Sequence, residues 1–195
     1  MNAAPPSLSA IRVQPVGAEI ALEFLDELAA ALARVFRVSC HVETAPLDAP
    51  FAFDKLRGQY HSTAILGKLS GAGPEEAGAR ILGVTELDLF VPVLTFVFGE
   101  AQLAGRCAVI SLHRLREEFY GLPPKPELLR ERAAKEAVHE LGHTLGLRHC
   151  PNWRCVMAST HAVERLDLKA VEYCPRCARA AGLSPSSGPP PAQAQ

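Results

Sequence analysis

His139-Glu140-Leu141-Gly142-His143-Thr144-Leu145-Gly146-Leu147-Arg148-His149 is the stretch on which the reading of this chain turns. The residues before it, from about Glu127, follow the hard stop Pro123-Pro124-Lys125-Pro126, and Gly146 is a natural residue for a helix end. On that helix, positions four apart share a face, so His139 and His143 aim two imidazoles at one point. A straight continuation would carry His149 away. A glycine at 146 is free to adopt positive φ and bend the chain, so that the third imidazole swings back. Three imidazoles on one ion, with a fourth position open to water or substrate, are the donor set of a catalytic zinc centre. Glu140 then acts as general base on a water bound to that zinc rather than as a ligand. The bland reading is an amphipathic helix with unrelated histidines. It is serious for a bare His-Glu-x-x-His. Here it must also explain Gly146, His149 and a methionine, Met157, a few residues on.

Directly after His149 stands Cys150, then Cys155, then the pair Cys174-Pro175-Arg176-Cys177. Four thiolates form a closed tetrahedral structural zinc site, which does no chemistry but can staple the irregular segment 150–177. The other readings are a redox pair or unrelated thiols. A redox pair calls for a thioredoxin-like βαβ setting, whereas Cys174 follows an expected helix near the chain end. Cys40 and Cys107 fall in expected strands and read as buried thiols.

Upstream, Ser9 to Val13 alternates as a short strand, with Pro15 and Gly17 as breakers. Glu19 to Arg37 has helical spacing, with Ile20, Phe24, Leu28, Ala31, Leu32 and Val35 on one side, and Val38 to Val42 is a second strand. This β–α–β opening predicts a parallel pair. His61 to Leu69 reads as a short helix, and Pro74 to Glu76 as the start of another. Arg80 to Thr85, Val93 to Phe98 and Cys107 to Ser111 read as strands, with Ala101 to Arg106 as a hairpin connection. Leu94 to Phe98 is a candidate edge strand for pairing with an extended substrate, or else a buried central strand. Glu100 is a candidate for capturing a substrate amino terminus. Glu164 to Val171 is a further expected helix.

Hydrophobic residues make up 48% of the 195 residues, enough for one sizeable core. The expected organisation is a flexible N-terminal tail at 1–7, a single domain at 8–182, and a disordered Pro/Ser-rich tail at 183–195. A net charge of −1 lacks the electrostatic footprint of a nucleic-acid binder and the polybasic signal of a membrane-surface protein. The most apolar stretch, Leu87 to Phe98, is too short to span a bilayer and is interrupted by Asp88 and Pro92. The start has no basic segment followed by a long apolar run, so a cytoplasmic protein is expected; a monomer is expected as well. In that compartment six cysteines point to metal rather than disulfides.

Residues His139 through Cys177 resemble the archaemetzincins, a family of the metzincin zinc peptidases. The resemblance lies in the three histidines, Cys150 immediately after the third, Cys155, Met157 and the distal Cys174 and Cys177. It extends upstream through Leu82-Gly83-Val84-Thr85, Phe96 to Ala101 and Val109 to Leu112. It implies an α/β (α+β) metzincin-like zincin fold: a mixed, mostly parallel twisted sheet over the active-site helix, a methionine turn beneath the zinc, and a C-terminal subdomain stapled by a four-cysteine zinc site. It implies hydrolysis of peptide or protein substrates. With the cysteine set, the expectation is two Zn2+ per chain. Some metzincins carry a Tyr two residues after the methionine; Ser159 stands there, so no fifth protein ligand is implied. The competing class is a catalytically weak or silent zinc-binding interaction module. Glu140 argues for catalysis, because a purely structural three-histidine site has no need of it.

Overall fold

The computed structural model describes residues 8–18, 20–72 and 76–184. The expected N-terminal tail, all but two residues of the expected C-terminal tail, and Glu19, Pro74 and Glu75 of two expected helix starts lie outside them. In chain order the elements are β1 (Ala10–Val16), α1 (Leu22–Phe36), β2 (Ser39–Val42), β3 (Phe53–Asp54), β4 (Gln59–His61), α2 (Ser62–Ser70), β5 (Ala79–Thr85), β6 (Leu89–Phe90), β7 (Gly99–Ala101), β8 (Cys107–Ser111), α3 (Pro126–Thr144), α4 (Val163–Asp167) and α5 (Pro175–Ala180).

The main sheet has the order β2-β1-β5-β8-β7. Its first four strands are parallel, and β7 closes one edge antiparallel to β8, as the mixed, mostly parallel expectation requires. Strand β5 is buried along its whole length, as befits a parallel strand covered on both faces. On one face Ile11, Val13, Leu82, Val84 and Ile110 pack against α1 and α3, through residues such as Leu28, Leu32, Ala137 and Leu141. On the other, Val16, Ile81 and Val109 pack against Ile65 and Leu69 of α2. Each such side chain contributes about 1.5–3 kcal/mol by leaving water. The sheet therefore holds α3 rigidly, and α3 carries the first two histidines. A small second sheet of β3, β4 and β6 has no counterpart in the sequence reading. No helix among the described residues is long and apolar enough to cross a membrane.

Several local expectations are corrected. Strand β1 runs through Pro15 instead of stopping before it. The Pro15 carbonyl accepts the Leu47 N–H at 2.9 Å, beyond the last β1–β2 register pair at Val13 and Val42. The missing proline N–H therefore interrupts no ladder bond. The buried face of α1 is Leu25, Leu28, Ala29, Leu32 and Phe36, a stripe rotated from the one centred on Phe24 and Val35. Both stripes have helical spacing, and the packing of α3 selects between them. Residues 93–98 are not a strand of the main sheet: Val93 is 89% exposed, and only Val97 makes an isolated bridge, to Leu89. The edge strand is β7, immediately downstream. The last long helix expected, Glu164 to Val171, is the shorter α4, ending at Asp167.

Candidate metal centre

Helix α3 ends in a closure that depends on glycine. The N–H of Gly146 donates to the His143 carbonyl at 2.9 Å, and that of Leu147 to the Gly142 carbonyl at 3.1 Å, with Gly146 at φ 87°. This paired bonding satisfies the final carbonyls and reverses the chain. It returns His149 to the two helical imidazoles: the ring centroids of His139, His143 and His149 lie 4.8, 5.1 and 5.3 Å apart in pairs. A Cβ at 146 would meet nothing closer than Ala104 at 3.9 Å, so the penalty for Gly146→Ala is conformational alone, about 1–2 kcal/mol. The expected result is a small drop in melting temperature with a much larger loss of zinc affinity, measured by chelator competition. Unchanged affinity would show that the bend does not set His149.

The ring nitrogens fit a cation. His139 Nδ1 lies 2.7 Å from the Val156 carbonyl and His143 Nδ1 2.7 Å from the Leu147 carbonyl. A carbonyl only accepts, so both Nδ1 atoms carry the proton and both Nε2 lone pairs are free. Those two Nε2 atoms face each other at 3.2 Å. Two lone pairs so placed repel unless a cation lies between them. The spacing matches the roughly 3.3 Å between nitrogens at zinc's tetrahedral bond lengths. Burial, with the Lys169 charge, lowers His139 to about 3. Burial also lowers His143 and His149. All three rings are thus kept neutral, the form that binds metal.

Glu140 is 5% exposed and lies beside this cluster without joining it. Burial, then the neighbouring Glu136, pushes its carboxyl well above the usual carboxylate range. Met157 is fully buried against α3, where a Cβ at Gly142 would lie 2.5 Å from its sulfur. Only glycine at 142 admits the methionine beneath the histidines. A cleft of about 280 Å³ opens alongside, lined by Phe96, Phe98, Glu136, His149, Thr160 and Lys169 among others. Glu100, read as a capture point for an amino terminus, sits on β7. Its carboxylate accepts from Ser62 Oγ at 2.5 Å and from Thr63 Oγ1 at 2.8 and 3.0 Å.

The second cluster is as tight. The ligand-type atoms of Cys150, Cys155, Cys174 and Cys177 lie within 4.8 Å of one another, and all four thiols are free. Cys150 Sγ and Cys174 Sγ are 3.8 Å apart. That is far outside disulfide length and close to the roughly 3.8 Å edge of a zinc–thiolate tetrahedron. The Cys174 N–H donates to Cys155 Sγ at 3.3 Å, and Arg176 donates to Cys150 Sγ at 3.4 Å, as suits thiolates. Burial raises the Cys174 thiol, but hydrogen bonds from Cys177 and the other thiols outweigh this and bring it down to about 7. Both the histidine group and the cysteine group could bind zinc.

Every ligand candidate singled out from the sequence therefore falls in one of two compact groups, with Glu140 beside the first. Two buried charges next to the histidines escaped that reading. Glu136 had a signal, since it stands four residues before Glu140 on the same helical face. Lys169 had none, because only tertiary structure brings it there.

A mixed α/β sheet over a helix that presents three converging histidines, a neighbouring glutamate and a methionine floor defines a zinc peptidase of the metzincin type. The sequence matches the model of peptidase family M54 over residues 39–181. It is 46% identical over 168 residues to the archaemetzincin of Methanocaldococcus jannaschii, covering 86% of this chain and 89% of that one. The crystal structure of archaemetzincin from Methanopyrus kandleri superposes with a TM-score of 0.78 at 36% identity, covering 90% of this chain and 94% of that one. A zinc-dependent peptidase from Methanocorpusculum labreanum gives a TM-score of 0.78 at 27% identity, covering 88% and 99%. The chain belongs to the archaemetzincins, peptidase family M54, and is a zinc metallopeptidase.

Proposed function

We propose that residues 8–182 form a single catalytic domain that hydrolyses peptide bonds with one zinc held by His139, His143 and His149, while Cys150, Cys155, Cys174 and Cys177 hold a second, structural zinc in the 150–177 region. The observation that carries this reading is the pair of Nε2 lone pairs facing each other at 3.2 Å, each fixed by a carbonyl on the far side of its ring. Zinc in the histidine cluster supplies Lewis acidity towards a peptide carbonyl and a water molecule. Glu140 takes a proton from the attacking water at its carboxylate and returns it to the leaving amine. Its burial favours that exchange, because a carboxylate out of bulk water is a stronger base. Met157 packs beneath the rings and is not a ligand.

Strand β7 is positioned to bind substrate. Phe98 and Gln102, on either side of it, bond to β8. The alternation of an antiparallel ladder then turns the backbone groups of Gly99 and Ala101 outward, where an extended peptide can add as a further strand. The same reading takes the enzyme as a cytoplasmic monomer acting on peptides or proteins, without nucleic-acid or membrane partners.

The test joins zinc counting by native mass spectrometry to a peptide-library cleavage assay with and without chelator. Two zinc ions per chain, with cleavage lost to chelator and restored by zinc, is the expected result. Two zinc ions with no cleavage of any peptide would favour the silent interaction module.

A further inference from the structure

Helix α3 carries a second buried carboxyl group to which the motif gives no task. Glu136 lies one turn before Glu140 on the same helical face; both are 5% exposed and line the same cleft, near enough that each shifts the other's protonation. Lys169 is buried to the same degree, and the negative groups acting on it are Glu136, Glu140 and Cys155. An ammonium at this depth is costly unless opposite charge is near, and the carboxyl groups of Glu136 and Glu140, lining the same cleft, supply it.

Lys169 is also held in place from several directions. Its N–H donates to the Leu166 carbonyl at 3.2 Å, in the turn that follows α4. Helix α3 clamps that turn. Lys135 donates to the Asp167 carbonyl at 2.9 Å, and Arg132 makes two bonds of 2.7 Å to the Asp167 carboxylate. From this anchored backbone the Lys169 ammonium donates to the carbonyls of Val156, at 3.4 Å, and Ala158, the residues on either side of Met157. The Val156 carbonyl is the same one that fixes the His139 ring. Glu140, Glu136 and Lys169 thus line the same cleft, and Lys169 bonds the carbonyl that fixes His139, which links the carboxyl groups' neighbourhood to the first histidine.

We propose that Glu136 and Lys169 are positioning residues of the metal centre: Glu136 holds the carboxyl group of Glu140 in its working orientation, and Lys169 ties that pair to the methionine turn and the carbonyl that orients His139. The inference rests on the role proposed above for Glu140. Residues that orient ligands and bases from behind them typically change metal affinity or activity by about 10–100-fold when removed.

The variants are Glu136→Ala, Glu136→Gln, Lys169→Met and the double variant Glu136→Ala/Lys169→Met. Each is assayed for kcat and KM, for zinc affinity at the histidine site by chelator competition, and for thermal melting. Glu136→Ala should lower kcat about 10–100-fold at nearly constant KM, and Glu136→Gln, which keeps the shape and a polar side chain, should recover most of that loss. Lys169→Met should lower kcat to a similar extent and weaken zinc at the histidine site about 10–100-fold, while the cysteine-held zinc stays. The double variant should fall little further than Lys169→Met, because both changes act on one coupled group of residues. Wild-type kcat and zinc affinity in Glu136→Ala and Lys169→Met, or equal losses in Glu136→Ala and Glu136→Gln, would overturn the proposal. So would lower melting temperatures with unchanged kcat, since that is the signature of a purely structural pair. Glu140→Ala run alongside separates the two claims. If that variant is dead while the others behave as wild type, only the positioning role falls; if it is active, the reading of Glu140 falls first.

Discussion

Replacing Glu140 with Ala is expected to leave the zinc content unchanged and to lower kcat/KM by about a thousand-fold, within the range for removal of a general acid–base. The two halves of this expectation rest on separate observations. Metal content should hold because the histidine cluster closes without the glutamate: its two helical rings, His139 and His143, are oriented by the carbonyls of Val156 and Leu147, not by Glu140. Activity should fall because no other carboxyl group is as well placed. Glu136 sits one turn further from the C-terminal end of α3, and the carboxylate of Glu100 is engaged by Ser62 and Thr63. Glu140→Gln isolates the proton-transfer role, since it keeps the shape but cannot accept a proton as a carboxylate does. Zinc by mass spectrometry and the rate on a cleaved peptide measure the two halves together. Full activity in either variant would remove Glu140 from the mechanism, and a dead variant lacking zinc would make it a structural residue instead.

The histidine site was legible in the sequence because its geometry is local. Helical periodicity places His139 and His143 together, and one glycine, at φ 87°, returns His149 within three residues. The cysteine set was legible for a different reason: thiols are rare, and metal is the simplest cause for four of them in a short segment. The parallel β1–α1–β2 opening followed from element order and helix length. What failed was set by tertiary context. The run Leu94 to Phe98 has strand-like composition, but its exposed end, beside the cleft, pairs with nothing in the main sheet. Arg57 instead binds the carbonyls of Leu94 and Thr95, at 2.7 and 3.1 Å. Pro15 breaks a strand only where its N–H would have had a partner, and β2 ends before it. Lys169 looks like any surface lysine until α4 is folded against α3.

Changing Cys174 and Cys177 together to Ser is expected to remove one zinc ion per chain and to lower the melting temperature by about 8–16 °C. The segment they close has little else to hold it. Helices α4 and α5 have five and six residues, far below the length at which a helix persists in isolation. A structural zinc contributes about 10–16 kcal/mol of apparent binding energy in small zinc domains. If the variant loses about 4 kcal/mol of that, a protein of this size should melt about 8–16 °C lower. The loss should also reach the other centre. Cys150 adjoins His149, and its N–H donates to the Met157 carbonyl at 2.8 Å, so loosening the cysteine cluster releases the chain that carries both the third histidine and the methionine floor. Activity should therefore fall with the structural zinc, even though no thiol touches substrate. Calorimetry with parallel zinc counting is the measurement. A melting curve that does not move would mean that the four thiols do not staple this region.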